Sequence, residues 1–249
     1  LCLPCSLDLT VLLLHYFYLP TSTYLPVQVL MDGMVLIKNY LTLEQQQEIV
    51  DCARGMGIDP SGGGFYQPTF ESGSVMRCRQ MCLGKQWNCR TDKWEDTREN
   101  HDGAGAPPIP QLLADSCAAA SGAAKEVSGA CVGADAADIC IVNYYPPDTG
   151  RLGVHVDKSE SNASLRAGSA VISFSIGDDC EFCYSMKHPD VLSEAGDRMK
   201  TVKLGSGDLL VFGGPARMAY HGVNKVLRKT APAGLNMIPG RLNLTFRQY

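Results

Sequence analysis

Several features are missing from this 249-residue chain, and each absence narrows what it can be. No uninterrupted apolar run reaches the roughly 18 residues that a membrane-spanning helix needs. Val11 to Leu19 comes nearest, and His15 interrupts it. No Lys or Arg precedes Lys38, so the basic start of a secretory signal is absent. Residues 1–30 are therefore expected to be an extension of uncertain standing, a fragment end or an upstream addition, with the domain starting near Val27. No internal repeat is visible, which argues against a solenoid or propeller. The charge balance has no strong sign: 22 Lys and Arg against 26 Asp and Glu give −4, so bulk electrostatics do not announce a polyanion binder. Histidine is scarce at five residues and tryptophan at two, which makes their placement informative.

Cysteine is not scarce, but its eleven copies are odd in number and scattered, unlike a disulfide framework. Cys180 and Cys183 form a C-x-x-C in a strand-like stretch, where positions i and i+3 point to opposite faces, poor geometry for a shared zinc. Reduced thiols in a reducing compartment, nucleus or cytoplasm, fit better. With 45% hydrophobic residues the chain can bury one core or two intimate subdomains.

Periodicity divides the chain near Asp138. Before it, Val35 to Ile37 reads as a short strand. A helix is expected from Thr42, where Thr42 and Gln45 form a capping box and Leu43, Ile49, Val50 and Ala53 make an apolar stripe. Gly55 and Gly57 should end it. A second helix follows Pro110, carried by Leu112, Leu113, Cys117 and Ala120. After Asp138 strands dominate: Ile139–Tyr145, Leu152–Val156, Ala170–Ile176, Leu209–Phe212 and Leu242–Phe246. The expected fold is α+β, a double-sheet jelly roll with N-terminal helices covering one sheet. The expected divisions are 1–30 as extension, 31–137 as helices and substrate-recognition lid, and 138–249 as the jelly-roll core.

The chemistry concentrates in three places. His155 and Asp157, two apart on a strand, face the same way, and a distant His221 would complete two imidazoles and one carboxylate. That facial set with open positions suits non-haem Fe(II), with zinc the runner-up. Standing alone, H-x-D is a weak signal, and chance or an ordinary hydrogen-bonded pair explains most instances. In the final strand Arg241, Asn243, Thr245 and Arg247 share one face, opposite Leu242, Leu244 and Phe246. Two guanidiniums on one face need partners, and a diacid held by bidentate forks supplies them. Asn143 and Tyr145 also share a face and can hydrogen-bond a ligand carboxylate, or belong to a half-buried edge. Trp87 and Trp94 sit among Arg77, Arg79, Lys85, Arg90, Lys93 and Arg98, a mixture that suits base stacking and phosphate contact, or a solvated loop with structural aromatics.

Taken together, Asn143-Tyr144-Tyr145, His155-Val156-Asp157-Lys158, Phe212-Gly213-Gly214, Tyr220-His221-Gly222 and Arg241-Leu242-Asn243-Leu244-Thr245-Phe246-Arg247 resemble the AlkB family of Fe(II)/2-oxoglutarate-dependent dioxygenases. The resemblance spans roughly residues 33–249 and is nearest the plant members beside the AlkB homologue-one subgroup. It implies a jelly-roll core with a nucleotide-recognition lid. By the same resemblance His155, Asp157 and His221 bind iron and carry catalysis, and Asn143, Tyr145, Arg241, Asn243 and Arg247 hold 2-oxoglutarate. Trp87 and Trp94 correspond to aromatics of the lid. The implied reaction consumes O2 and 2-oxoglutarate and hydroxylates an N-methyl group, giving succinate, CO2 and formaldehyde. The implied partner is methylated DNA or RNA, handled by a monomer without a membrane. One position departs from the bacterial members: Ser159 stands where they carry a carboxylate that contacts the modified base, which leaves room for neutral bases such as N6-methyladenine. A dioxygenase acting on a protein or small molecule, or a non-catalytic binding protein of the same fold, are the alternatives.

Overall fold

The computed structural model describes residues 25–58, 63–128 and 137–249. Seven strands form the larger sheet, in spatial order β1 (Val27–Met31), β2 (Met34–Ile37), β11 (Leu209–Phe212), β8 (Val171–Gly177), β13 (Arg241–Arg247), β6 (Ile139–Tyr145) and β3 (Arg79–Leu83). A four-stranded sheet faces it, in order β10 (Lys200–Leu204), β9 (Asp179–Ser185), β12 (Tyr220–Leu227) and β7 (Leu152–His155). Strands β4 (Gln86–Asn88) and β5 (Lys93–Glu95) make a separate hairpin. Every pairing is antiparallel. The long helices are α1 (Leu43–Gly57) and α2 (Gln111–Ser128), and the short ones α3 (Asn162–Ala167) and α4 (Pro189–Glu194). Among the described residues no helix is long and apolar enough to cross a membrane.

Strand alternation sorts the larger sheet into two faces. Val35, Ile172, Phe174, Val211, Leu242, Leu244 and Phe246 point one way and pack with Ile49, Val50 and Ala53 of α1 and Leu113, Cys117 and Ala120 of α2. Each fully buried Phe or Leu here contributes on the order of 1.5–3 kcal/mol. The other face meets the smaller sheet through Leu36, Tyr145, Val171, Leu210 and Phe212 against Phe182, Tyr184, Val223 and Val226. Burial on both faces explains why β11 reads as a continuous apolar run, while β8 is wholly buried although Ser173 and Ser175 alternate with its apolar residues. The result is the jelly-roll sheet pair expected from the sequence, with helices over its outer face.

The capping box at Thr42 is present: Gln45 N–H donates to Thr42 Oγ1, and Thr42 N–H donates to Gln45 Oε1. Leu43, however, lies toward solvent rather than in the apolar stripe. Two edges of the expected division also move. Strands β1, β2 and β3, all before residue 138, complete the larger sheet, so the N-terminal part is woven into it as well as covering it. The 1–30 extension lies mostly outside the described residues, but its last part, Val27 onward, forms β1.

Candidate metal centre and cosubstrate wall

His155 and His221 are direct cross-strand partners on β7 and β12. Their approach depends on Gly222, because a Cβ there would lie 2.9 Å from the Leu152 carbonyl oxygen of β7. The rings sit 4.4 Å apart between centroids. Each imidazole is oriented from behind: Nδ1–H of His155 donates to the Gly153 carbonyl at 2.9 Å and that of His221 to the Ala219 carbonyl at 3.0 Å. With Nδ1 carrying the proton, each Nε2 keeps its lone pair for a metal. Both Nε2 atoms turn to the same carboxylate, His155 at 3.6 Å from Asp157 Oδ1 and His221 at 3.7 Å from Oδ2. Candidate ligand atoms from the three residues all lie within 4.8 Å of one another, close enough to share one ion. Strand β7 ends at His155, one residue earlier than expected, so Asp157 reaches this point from the segment that follows.

Charge in the centre is strongly biased. Burial alone would raise the Asp157 pKa, but Arg247, His221, His155 and Arg217 together hold it well below the usual carboxylate range. Burial, reinforced by His155, pushes His221 down to about 4, so it is neutral at pH 7. An ionised carboxylate and a neutral imidazole are the protonation states that a divalent cation takes.

Beside the centre, Arg241, Asn243, Thr245 and Arg247 share the face of β13 opposite the apolar core. The Arg241 guanidinium, 1% exposed, donates from Nη2 to Ser175 Oγ at 2.9 Å and lies 5.1 Å from the Tyr145 ring centroid. Among the described residues its Nε and Nη1 have no hydrogen-bond partner. Arg241 pairs in register with Tyr145 and Asn243 with Asn143, so one patch of sheet collects all of them. Asn243 spends its amide hydrogens on Ser173 Oγ and the Phe174 carbonyl, both at 2.8 Å. Asn143 accepts weakly from the Cys78 thiol and borders the groove above the metal centre. Burial raises the Tyr145 phenol far above its ordinary pKa, keeping it a neutral donor.

That groove encloses about 730 Å3, floored by His155 and Asp157 and walled by Trp87, Ser159, Met186, His188 and Tyr220. Trp87 Nε1–H donates to Ser159 Oγ at 3.4 Å, fixing the indole against the wall. Trp94 is its partner across the β4–β5 hairpin but does not line the groove. It is 8% exposed and packs with Cys82, Ile139 and Ile141. The basic cluster also divides. Arg98 is buried, paired with Asp102 at 2.7 Å, and Lys85 is paired with Asp96 at 3.0 Å. Arg77 and Lys93 are exposed and form no ion pair among the described residues.

Residues 33–247 match the family described as 2OG-Fe(II) oxygenase superfamily. The chain belongs to that superfamily. Within it, a solved structure titled "The structure of OsALKBH1" superimposes with a TM-score of 0.79 at 39% identity, over 90% of this chain and 100% of that one. This places the chain among the AlkB-like oxygenases. It is 42% identical to DNA N(6)-methyladenine demethylase ALKBH1C of Arabidopsis thaliana over 89% of this chain and 49% of that protein. It is 25% identical to tRNA demethylase abh1 of Schizosaccharomyces pombe over 80% of this chain and 70% of that protein. The chain spans about half the length of the Arabidopsis relatives it matches.

The residues of this AlkB-like oxygenase fit the iron and 2-oxoglutarate of its superfamily. Although Arg247 Nη2 lies 2.9 Å from Asp157 Oδ2, that buried oxygen receives no well-directed hydrogen bond among the described residues, as suits an atom that a cation will take. The two unpartnered nitrogens of Arg241 suit a carboxylate. Two residues here were not singled out as site residues from the sequence, Glu160 and Arg217. Both are buried, and they bond to each other at 2.8 Å directly behind Asp157 and Arg247. The available signal was Arg217 as a lone cation in the small-residue stretch Gly213 to Ala219.

Proposed function

We propose that this chain oxidatively demethylates N-methylated bases in DNA or RNA, using Fe(II), 2-oxoglutarate and O2. The observation that carries the reading is the convergence of His155, Asp157 and His221, the first two of which floor a groove walled by a tryptophan, near a buried arginine that has no ion-pair partner among the described residues. Relatives named for DNA N6-methyladenine and tRNA demethylation support the substrate class. Iron held by these three residues would supply, with 2-oxoglutarate and oxygen, the oxidation of the methyl carbon. The protein's own part is geometric. Gly153 and Ala219 carbonyls fix the two imidazoles, Arg241 neutralises one end of the diacid, and the groove shields the reacting carbon from bulk water. Trp87 offers a flat apolar face to a base, which must come from a single strand or be flipped out of a duplex. Ser159 presents a hydroxyl rather than a charge, which favours a neutral base such as N6-methyladenine over a cationic one.

We further propose that residues 138–249 hold metal and cosubstrate, while 31–137 complete and cover the larger sheet and, through the β4–β5 hairpin, form the lid. The chain acts as a monomer in a reducing compartment, nucleus or cytoplasm. All eight cysteines among the described residues are free thiols, in keeping with that setting. Light scattering of the purified chain tests the first statement and imaging of a tagged chain the second.

The decisive assay incubates the chain with Fe(II), 2-oxoglutarate and methylated DNA and tRNA oligonucleotides. Formaldehyde and succinate should form in step, well above a His155→Ala control. Turnover indistinguishable from that control rules the reading out. Equal, weak binding of methylated and unmethylated oligonucleotides would instead favour a protein or small-molecule substrate.

The two tryptophans should separate cleanly. Trp87→Ala removes a stacking face worth about 1–3 kcal/mol, so oligonucleotide affinity should fall roughly 5- to 150-fold, with a smaller loss of melting temperature than Trp94→Ala because Trp87 is only partly buried against its neighbours. Trp94→Ala empties a packed cluster at a cost of about 3–5 kcal/mol, so it should lower melting temperature first. Binding and thermal-denaturation measurements on both variants check this, and the reverse pattern would refute the assignment of Trp87 to the groove.

A further inference from the structure

We propose that Glu160 and Arg217 are a positioning pair that sets both the metal-facing carboxylate of Asp157 and the direction of Arg247. The inference rests on the metal reading of His155, Asp157 and His221. Arg217 sits in the turn before β12 and is 2% exposed, and the Glu160 side chain is wholly buried three residues beyond Asp157. One guanidinium nitrogen of Arg217, Nη2, bonds Glu160 Oε2 at 2.8 Å, while Nη1 donates to the backbone carbonyl of Asp157 at 2.5 Å. The second Glu160 oxygen, Oε1, faces Arg247 Nη1 at 3.4 Å, and Arg247 Nη2 faces Asp157 Oδ2 at 2.9 Å.

These contacts close a ring. Arg217 anchors the Asp157 main chain, Glu160 ties Arg217 to Arg247, and Arg247 returns to the Asp157 side chain. The ring solves a specific local difficulty. Asp157 lies beyond the end of β7, where no sheet hydrogen bonds fix its backbone, yet its carboxylate must meet two imidazoles held on paired strands. Arg217 supplies the missing restraint from the turn that leads into the strand of His221. Both metal-bearing strands are thereby tied to one side-chain pair. Two arginines and two carboxylates also balance in charge, so the ring can stay buried without a counter-ion. Apolar side chains of similar volume would stabilise the fold as well, but they could not direct Asp157.

The test measures Mn(II) binding by calorimetry on the whole chain, without 2-oxoglutarate or nucleic acid, so no turnover is needed. Glu160→Gln and Arg217→Met should each weaken Mn(II) binding roughly 10- to 100-fold, the range for groups that orient a metal ligand. Because either single variant strands a buried charge and could fail to fold, Glu160→Gln/Arg217→Gln, which removes both charges at once, is measured too. Its loss should not exceed that of the more severe single variant, since the pair acts as a unit. The Mn(II) electron-resonance spectrum should also change, a readout that altered stability alone leaves untouched. Folded variants that bind Mn(II) like the parent, with the parental spectrum, overturn the proposal. A parent chain that binds no Mn(II) overturns it together with the metal reading, whereas Mn(II) binding without demethylation overturns only the proposed substrate.

Discussion

Asp157→Asn should weaken Mn(II) binding between about 30- and several thousand-fold and take the proposed demethylation to background, while the chain stays folded. The magnitude follows from losing one partner of a buried charged pair, about 2–5 kcal/mol, at 1.4 kcal/mol per factor of ten. Asn keeps the volume and one oxygen near His155, so the variant isolates charge from shape. Two cations, Arg217 and Arg247, surround this carboxylate and hold its pKa down against burial. Its folded-state pKa is lowered, so its stabilising contribution is present above the ordinary carboxylate range and disappears as pH falls through that lowered value. Acid titration of stability should therefore flatten in the variant below about pH 4, the ordinary Asp range. Calorimetry with Mn(II) and thermal denaturation from pH 3 to 7 read both effects. Parental metal affinity in the folded variant would remove Asp157 from the ligand set.

Legibility from sequence followed periodicity. Strands β6 and β11 were read to the residue because they carry dense apolar runs bounded by Gly, Pro and Asp. The helix at Thr42 was legible because its capping box is local chemistry. Strand β12 was not read as a strand, although it carries His221. Gly222, Asn224 and Lys225 give it poor intrinsic β character, and its conformation comes from β9 and β7 pairing on either side. Strand β10 was missed for a related reason, since Lys200-Thr201-Val202-Lys203-Leu204 puts a lysine on each face and shows no clean alternation over its five positions at a sheet edge.

The same division runs through the site. The polar stripe on β13 was visible because strand period places Arg241 and Arg247 opposite the leucines, and the helices do bury the leucine side. By contrast, Trp87 and Trp94 pair across the hairpin and share a face, and only the surrounding packing buries Trp94 against Ile139 and Ile141 while Trp87 also reaches the groove, a tertiary fact that no local pattern carries. Glu160 and Arg217 lie 57 residues apart and become partners only once β7 and β12 are paired.

Arg241→Met should raise the 2-oxoglutarate Kd of the Mn(II)-loaded chain on the order of 100- to 1,000-fold, leave Mn(II) binding unchanged, and stabilise the ligand-free protein. The three effects have one cause. Arg241 is fully buried and permanently charged, yet it bonds Ser175, lies against the Tyr145 ring, and among the described residues has two nitrogens, Nε and Nη1, without a hydrogen-bond partner. No carboxylate among the described residues pairs with it, so ligand-free folding carries an uncompensated cation. Binding a diacid supplies the missing charge and hydrogen bonds, about 3–4 kcal/mol for two charge-assisted bonds in a dry site. Met fills a similar volume without charge, so it removes that gain and the desolvation penalty together, and a higher melting temperature should accompany the lost affinity. Because the residues proposed to hold the metal lie on β7, β12 and the segment after β7, Mn(II) alone should not detect the change. Calorimetric titrations with Mn(II) and then 2-oxoglutarate, alongside thermal denaturation, separate the effects. If Arg241→Met lowered stability and left the 2-oxoglutarate affinity intact, Arg241 would be a structural cation and the diacid would have to sit elsewhere on β13.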